Sequence, residues 1–114
     1  MMSINQLVIN ALKDIGVPVS FQVYAGTADP YITFFCYLET GELYSDDTQQ
    51  ATGYYIQVDV WSKGNYTSLV EQVKSAMQNA GFSFLSAYDL YESDTATYHK
   101  VLRFYYFKEV EQDG

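Results

Sequence analysis

The segment Tyr54 to Lys63 reads YYIQVDVWSK, and it decides the fold more than any other part of the chain. It alternates apolar residues with polar or aromatic ones, in the order Ile56, Gln57, Val58, Asp59, Val60 and Trp61. An alternation of period two predicts a strand with one buried face. A turn at Gly64 follows directly, and apolar residues then recur at helical spacing, so the strand leads into an amphipathic helix.

Two segments carry apolar residues at helical spacing, and we predict helices over Ser3 to Ile15 and over Asn65 to Ala80. Ser3 and Gln6 have the spacing of a capping box, and Asn65 is of a type that caps helices. A glycine follows each segment, as is common where a helix ends.

The remaining apolar segments favour strands, because they are rich in Val, Tyr and Phe and are bounded by turn residues. They are Val19 to Tyr24, Tyr31 to Thr40, Tyr54 to Lys63, Phe82 to Tyr91 and Thr97 to Lys108. The element order is α-β-β-β-α-β-β, which predicts an α+β fold. We expect one domain over residues 1–114, with two helices packed on one face of an antiparallel or mixed sheet of four to five strands.

The segment Gly41 to Gly53 is the most polar stretch between two predicted strands, and it contains Glu42, Asp46 and Asp47. It offers little to bury and is too long for a tight hairpin turn. We therefore predict a mobile acidic loop between the second and third strands.

The charge of the chain argues against nucleic acids as partners, and its short apolar runs argue against a membrane. Fourteen acidic residues outnumber six basic ones, and no Lys or Arg lies between Lys13 and Lys63. A surface that follows phosphates needs clustered cations, so tight nucleic-acid binding is not expected. The apolar runs are too short for a membrane helix, and the N-terminal residues do not have the pattern of a secretory signal, so we expect synthesis in the cytoplasm.

The reactive side chains give no catalytic signature. His99 is the one histidine and Cys36 the one cysteine, and both fall inside predicted strands, where structural roles are the usual ones. Neither the acids of Gly41 to Gly53 nor those around Glu92 have the spacing of a calcium loop. We predict no enzyme activity, no catalytic residues, no cofactor and no metal site.

Large aromatic residues are more numerous on the predicted strands than one layer of helices should bury. Tyrosine and tryptophan are enriched at the centres of protein interfaces. The candidates for an interface between subunits are Tyr54, Tyr55, Trp61, Tyr105 and Tyr106.

Several segments taken together resemble a known family. They are YITFFCYLET, YSDD, YYIQVDVWSK, a helix that closes in AGF, and DLYESDTATYHKVLRFYY. The chain resembles the small tail-completion proteins of siphophages that infect Gram-positive bacteria, found in phages and prophages. These are similar to tail terminators and tail-to-head joining proteins, which act as hexameric rings at the head-proximal end of the tail.

The resemblance implies a structural protein of the virion that is assembled in the host cytoplasm. It also implies a homo-oligomer of six subunits. Its implied partners are further copies of itself, the major tail protein and the head-connector proteins. DNA would pass through the ring without tight binding, and no membrane is involved. Three alternatives stay open: a head-completion, neck or minor capsid protein, a small acidic binding module for a basic partner, and a hydrolase that uses His99 with an acid.

Overall fold

The computed structural model describes residues 2–45 and 48–109. Two helices and five strands follow one another in this part of the chain. They are α1 (Ile4–Leu12), β1 (Val19–Phe21), β2 (Tyr31–Ser45), β3 (Thr48–Ser62), α2 (Thr67–Asn79), β4 (Ser83–Glu92) and β5 (Thr97–Glu109). Neither described helix is long and apolar enough to cross a membrane.

The five described strands form one sheet in the order β1-β2-β3-β5-β4. β1 pairs with β2 in parallel, whereas the three other pairs of neighbours are antiparallel. The sheet is therefore mixed, and β3 lies at its centre between β2 and β5. The predicted α+β fold, with two helices and a mixed sheet in the order α-β-β-β-α-β-β, is confirmed.

The first helix begins where the sequence predicts, because the Ser3 hydroxyl accepts a hydrogen bond from the backbone N–H of Gln6 at 3.1 Å. The Gln6 side chain does not complete a capping box and donates instead to the Asn10 side chain. The helix ends at Leu12, before the predicted end at Ile15.

The second helix begins at Thr67, after the predicted start at Asn65. The Asn65 side chain still contributes to the start of the helix, because its Oδ1 accepts the backbone N–H of Thr67 at 3.0 Å. At the other end Gly81 has a φ of +95°, in the left-handed region that glycine adopts most readily. Its N–H donates to the carbonyl of Gln78, and this bond closes the last turn.

The hydrophobic core fills the space between the two helices and one face of the sheet. Alternate residues of β3, namely Ile56, Val58 and Val60, are fully buried there, as the alternation predicts. They belong to a cluster with residues of both helices and the neighbouring strands, including Val8, Leu12, Phe34, Val70, Val73, Met77, Leu102 and Phe104. Burial of each large apolar side chain contributes about 1.5–3 kcal/mol, so this cluster is the main favourable term in folding.

The structure differs from the prediction over Gly41 to Gly53. β2 continues to Ser45 and β3 begins at Thr48, so the described part of this segment is a strand hairpin and not an irregular loop. The polar composition was misleading because an antiparallel pair satisfies its backbone groups across the strands, whatever its side chains. Asp46 and Asp47 lie outside the described residues, and the mobility of the segment stays a prediction.

Tyr66 ties the start of α2 to the edge strand β4. Its hydroxyl donates to a carboxylate oxygen of Asp89, and the Lys100 ammonium lies 3.3 Å from the same carboxylate. Burial and this hydrogen bond together raise the pKa of Tyr66 to about 12. The hydrogen bond from Tyr66 lowers the pKa of Asp89 below its usual 3.8.

A charge placed in the core should abolish folding. Val73 is fully buried on α2, and its neighbour Gln72 is exposed on the same helix. We expect Val73→Asp to cost several kcal/mol, against a total stability of roughly 5–15 kcal/mol, because the carboxylate would be buried unpaired. Gln72→Asp should remain folded. Far-UV circular dichroism and urea unfolding measure both, and a native-like Val73→Asp protein would contradict the core assignment.

The bond between Tyr66 and Asp89 predicts a stability difference that depends on pH. Tyr66→Phe should lower the free energy of unfolding at pH 7 by about 1 kcal/mol. Since the folded pKa of Asp89 is lowered, this stabilisation is present above its usual value and is lost as the pH falls through the folded value.

Urea unfolding of wild type and Tyr66→Phe between pH 3 and 7 measures this difference. Tyr98→Phe is the matched control, because the Tyr98 ring contacts the rings of Tyr66 and Tyr91 but its hydroxyl makes no hydrogen bond within the described residues. A gap between wild type and Tyr66→Phe that stays constant down to pH 3 would contradict the assignment.

Candidate interaction face

The sheet face opposite the helices, here called the open face, is covered by no helix or strand of the described residues. Strand pairing determines which side chains share it, because residues opposite each other in a ladder point to the same side. Trp61 of β3 lies between Tyr31 of β2 and His99 of β5. The next row on this face is Thr33, Asp59 and Val101, followed by Phe35, Gln57 and Arg103.

Aromatic rings at one end of the open face stack across three strands. The rings of Trp61 and His99 are nearly parallel, with their centroids 3.7 Å apart. The ring of Tyr31 stacks on the other side of Trp61, at 5.9 Å. The Trp61 indole N–H donates to the Thr33 hydroxyl at 3.0 Å, which fixes the orientation of the ring.

A row of polar side chains runs along the middle of the open face. His99 Nε2 lies 2.6 Å from Asp59 Oδ1, and the Gln57 amide also donates to Asp59, at 2.9 Å. The Gln57 carbonyl oxygen in turn accepts from the Arg103 guanidinium through Nε and Nη2, both at 3.2 Å. The row thus links a carboxylate to a guanidinium through an amide.

Two members of this polar row, Asp59 and His99, are buried although no helix of the described residues lies over them. Asp59 is 4% exposed and His99 is 7% exposed. Burial of an unpaired carboxylate is costly, and the two hydrogen bonds to Asp59 offset that cost. Aromatic side chains pack against the other end of the row, where the guanidinium of Arg103 lies over the Tyr37 ring at 4.8 Å and the Tyr88 ring at 5.8 Å.

Glu42 lies on the open face farther along the hairpin. Its Oε1 accepts hydrogen bonds from the Tyr105 hydroxyl at 3.2 Å and from the Thr40 hydroxyl at 2.9 Å. Burial, followed by the Glu42 carboxylate, raises the pKa of Tyr105. Glu42 was predicted as part of a mobile loop, and the structure places it on β2 with two hydrogen-bonding partners.

The five predicted interface aromatics divide between the two faces. Tyr55, Trp61 and Tyr105 lie on the open face, and the Tyr55 and Tyr105 rings contact each other with centroids 5.0 Å apart. Tyr54 and Tyr106 lie on the helix side and pack against the core. Adjacent strand residues point to opposite faces, so the pairs Tyr54-Tyr55 and Tyr105-Tyr106 had to be split.

Exposed apolar side chains surround the polar row on the open face. They are Leu38 at 49% exposure, Leu90 at 45%, Phe107 at 43% and Tyr88 at 40%. β-bulges lie at Tyr37 in β2 and at Leu85 in β4, where the register shifts against the partner strands. Exposed apolar groups that form one surface indicate an interaction site. An apolar rim around a buried polar centre makes the open face the candidate site.

The arrangement around His99 does not resemble a hydrolytic site. Its Nε2 is occupied by Asp59, and its Nδ1 has no hydrogen-bond partner among the described residues, so no nucleophile is paired with the imidazole there. The Cys36 thiol donates to the carbonyl of Leu38 at 3.3 Å. No group of three or more His, Cys, Asp or Glu side chains in residues 2–45 and 48–109 is placed to hold a metal ion.

Sequence reasoning missed the pairing of Asp59 with His99 and of Gln57 with Arg103. A signal was present, because Gln57 and Asp59 share one face of β3, and His99 and Arg103 share one face of β5. The register between the two strands decides which of them meet, and the sequence did not give that register.

Comparison with known proteins identifies the family. Residues 10–107 match the family model described as tail completion protein gp17. The chain belongs to this family. It is therefore a structural phage protein that completes the tail and is part of the virion. The family resemblance inferred from the sequence is confirmed, whereas its restriction to Gram-positive hosts stays a prediction.

Solved structures share the fold of this family member. A chain in the virion of a native gene transfer agent particle matches with a TM-score of 0.69 at 17% identity, over 95% of this chain and 96% of that chain. A second solved structure matches over 100% of both chains with a TM-score of 0.56 at 15% identity. At these identities the likeness shows the fold alone. A search of the curated proteins found no match.

The buried pair on the open face should show energetic coupling. Asp59→Asn and His99→Gln each remove one partner of the pair. We expect the double variant to lose less unfolding free energy than the two single variants lose in sum, by about 1 kcal/mol or more. Urea unfolding of wild type, the two single variants and the double variant measures this coupling energy. Asp14→Asn, an exposed substitution beyond α1, is the control and should be additive with His99→Gln. If the effects of Asp59→Asn and His99→Gln are additive, the interaction between the two side chains contributes nothing to stability.

Proposed function

We propose that this tail completion protein assembles into a closed ring of identical subunits, a hexamer, at the head-proximal end of the tail. There it stops growth of the tail tube and joins the tail to the head, in contact with the major tail protein and the head-connector proteins. The role is one of assembly without turnover. The observation that supports the proposal best is the open face, where an apolar rim surrounds a row of polar side chains that are hydrogen-bonded to one another.

A second copy of the chain fits the open face in size and in chemistry. The subunit measures 53 × 24 × 23 Å, so the open face is large enough for a standard interface of about 800 Å² per partner. Leu38 and Phe107 would contribute apolar area, and their burial is worth about 25 cal/mol per Å². The polar row is already hydrogen-bonded internally, so covering it leaves few new unpaired groups.

The formal net charge of −8 on each subunit works against association. Ordering of side chains and loss of free movement also consume much of the gain from burial. We therefore expect a monomer in dilute solution and a ring at high concentration or on the tail. An acidic ring would also let DNA pass without phosphate contacts, since tight binding needs clustered cations.

The first test is sedimentation of the purified protein over a concentration series. We expect the average mass to rise with concentration, and to rise further when salt or magnesium screens the repulsion. A protein that remains monomeric under all of these conditions would contradict the ring.

A matched pair of variants tests whether the open face forms the contact. Leu38→Lys introduces a charge into the apolar rim, and Ile9→Lys places the same charge on α1, where the side chain is 37% exposed. We expect Leu38→Lys to weaken association at least tenfold, which corresponds to about 1.4 kcal/mol. Ile9→Lys should have little effect. Equal effects of the two variants would remove the open face from the proposal.

Electron microscopy of particles assembled with Leu38→Lys separates the possible positions of the ring. Overlong tails would show that the protein terminates the tube, and tails of normal length without heads would show that it joins the two. Heads that lose DNA while tails stay normal would favour the alternative of a head-completion protein.

A further inference from the structure

The outer edge of β4 is left unpaired in the subunit. β4 is the last strand of the sheet, and no strand of residues 2–45 and 48–109 pairs with its outer side. Its ten residues contain no lysine and no proline, and Leu85, Leu90 and Tyr91 are about half exposed. The charge in its middle, on Asp89, is held by Tyr66 and does not guard the edge. A long, apolar and unguarded edge is a template for another strand.

The registers of the ladders determine which backbone groups of β4 point outward. The carbonyl of Phe34 accepts the N–H of Gln22, so Phe34 directs its backbone groups toward β1. Backbone groups alternate between the two sides of a strand, and this alternation can be followed from β2 through β3 and β5 to β4. It directs the N–H and C=O groups of Ala87, Asp89 and Tyr91 away from the sheet. These residues form a row of free donors and acceptors beyond the β-bulge of β4.

A second free edge lies on the opposite side of the same sheet. β1 pairs with β2 only from Ile32 to Phe34, so residues 35–45 of β2 have no strand beside them on that side within the described chain. Beyond the β-bulge of β2, the same alternation directs the backbone groups of Glu39 and Gly41 outward. Each subunit therefore carries one free edge on either side of its sheet.

We propose that the outer edge of β4 in one subunit pairs with the free part of β2 in a second copy of the chain. This inference rests on the proposed ring and names the contact that builds it. Because the two edges differ, the contact runs head to tail, and contacts of this type form a ring when the rotation between copies closes. Pairing of β4 with another β4 would instead stop at a dimer and leave β2 uncovered.

Side chains near both edges favour a second copy as the occupant. Leu38 lies on the free part of β2, whereas Tyr88 and Leu90 lie on β4, and each is 40% or more exposed in the single subunit. The strand registers place all three on the open face. Strand pairing between copies brings them side by side, so one contact supplies both the backbone hydrogen bonds and the burial of the apolar rim.

The two edges meet only if neighbouring copies are staggered along the strands. Tyr88 lies in the same row of the sheet as Thr33, and β1 occupies the edge of β2 at that level. The free part of β2 begins beyond it, so the neighbour has to be displaced by several residues along the strand direction. Strands that close into a barrel are staggered in this way, because they are inclined by roughly 35–45° to its axis. The stagger therefore agrees with a closed ring.

Two proline variants test the pairing. Proline removes a backbone N–H and is tolerated in an edge strand where that N–H faces outward. Ala87→Pro blocks the edge of β4, and Glu39→Pro blocks the edge of β2. Under conditions in which wild type assembles, sedimentation should show each variant alone as a monomer. In an equimolar mixture the remaining edges are complementary, so we expect a heterodimer and no larger species.

Matched variants separate the lost N–H from other effects. Ala87→Val and Glu39→Gln keep the N–H at the same exposed positions and should assemble at least as well as wild type. Circular dichroism and urea unfolding show whether each proline variant is folded. Where one is not, Ala87→Lys takes its place, because a lysine guards an edge without changing the backbone. It should weaken association at least tenfold, although it lowers the net negative charge of the subunit.

The possible results distinguish the edge pairing from the ring itself. If wild type assembles and the folded edge variants assemble equally well alone, the edge pairing is wrong while the ring stands. Dimers of Glu39→Pro alone would show that β4 pairs with itself and would overturn the head-to-tail contact. If wild type stays monomeric under all conditions, the ring is contradicted and the edge pairing falls with it.

Discussion

The central strand β3 must bury apolar side chains on one face and hydrogen-bond a carboxylate on the other. The rest of the molecule is arranged around these two requirements. On one side Ile56, Val58 and Val60 lie in the core beneath the two helices, and burial of that core is the main favourable term in folding. On the other side no helix is present in the described chain, and the strand carries a carboxylate at Asp59. That carboxylate is tolerated because β5 brings His99 opposite Trp61, within reach of Asp59.

The open face thus combines two properties that suit a protein of an assembly. Its polar centre is held by hydrogen bonds within the subunit. Its apolar rim, with residues such as Leu38 and Phe107, is left for a partner to cover. A fixed centre reduces the ordering that association requires, and this would lower the cost of building the proposed ring from acidic subunits.

The aromatic residues serve three separate purposes, although they look alike in the sequence. Phe104 and Phe82 fill the core, whereas Tyr66 ties α2 to β4 through its hydroxyl. Trp61 and Tyr31 stack beside the polar row at one end of the open face. The same stack therefore shields Asp59.

The sequence by itself determined the elements and the buried face of β3, because period-two and helical spacings are local properties. It also determined the family, through the segments that resemble tail-completion proteins. The tertiary structure alone decided that Glu42 lies on a paired strand, that Tyr55 and Tyr105 share a face, and that His99 meets Asp59. These facts depend on the register between strands distant in the chain, and register follows from the packing of the whole sheet and not from any one segment.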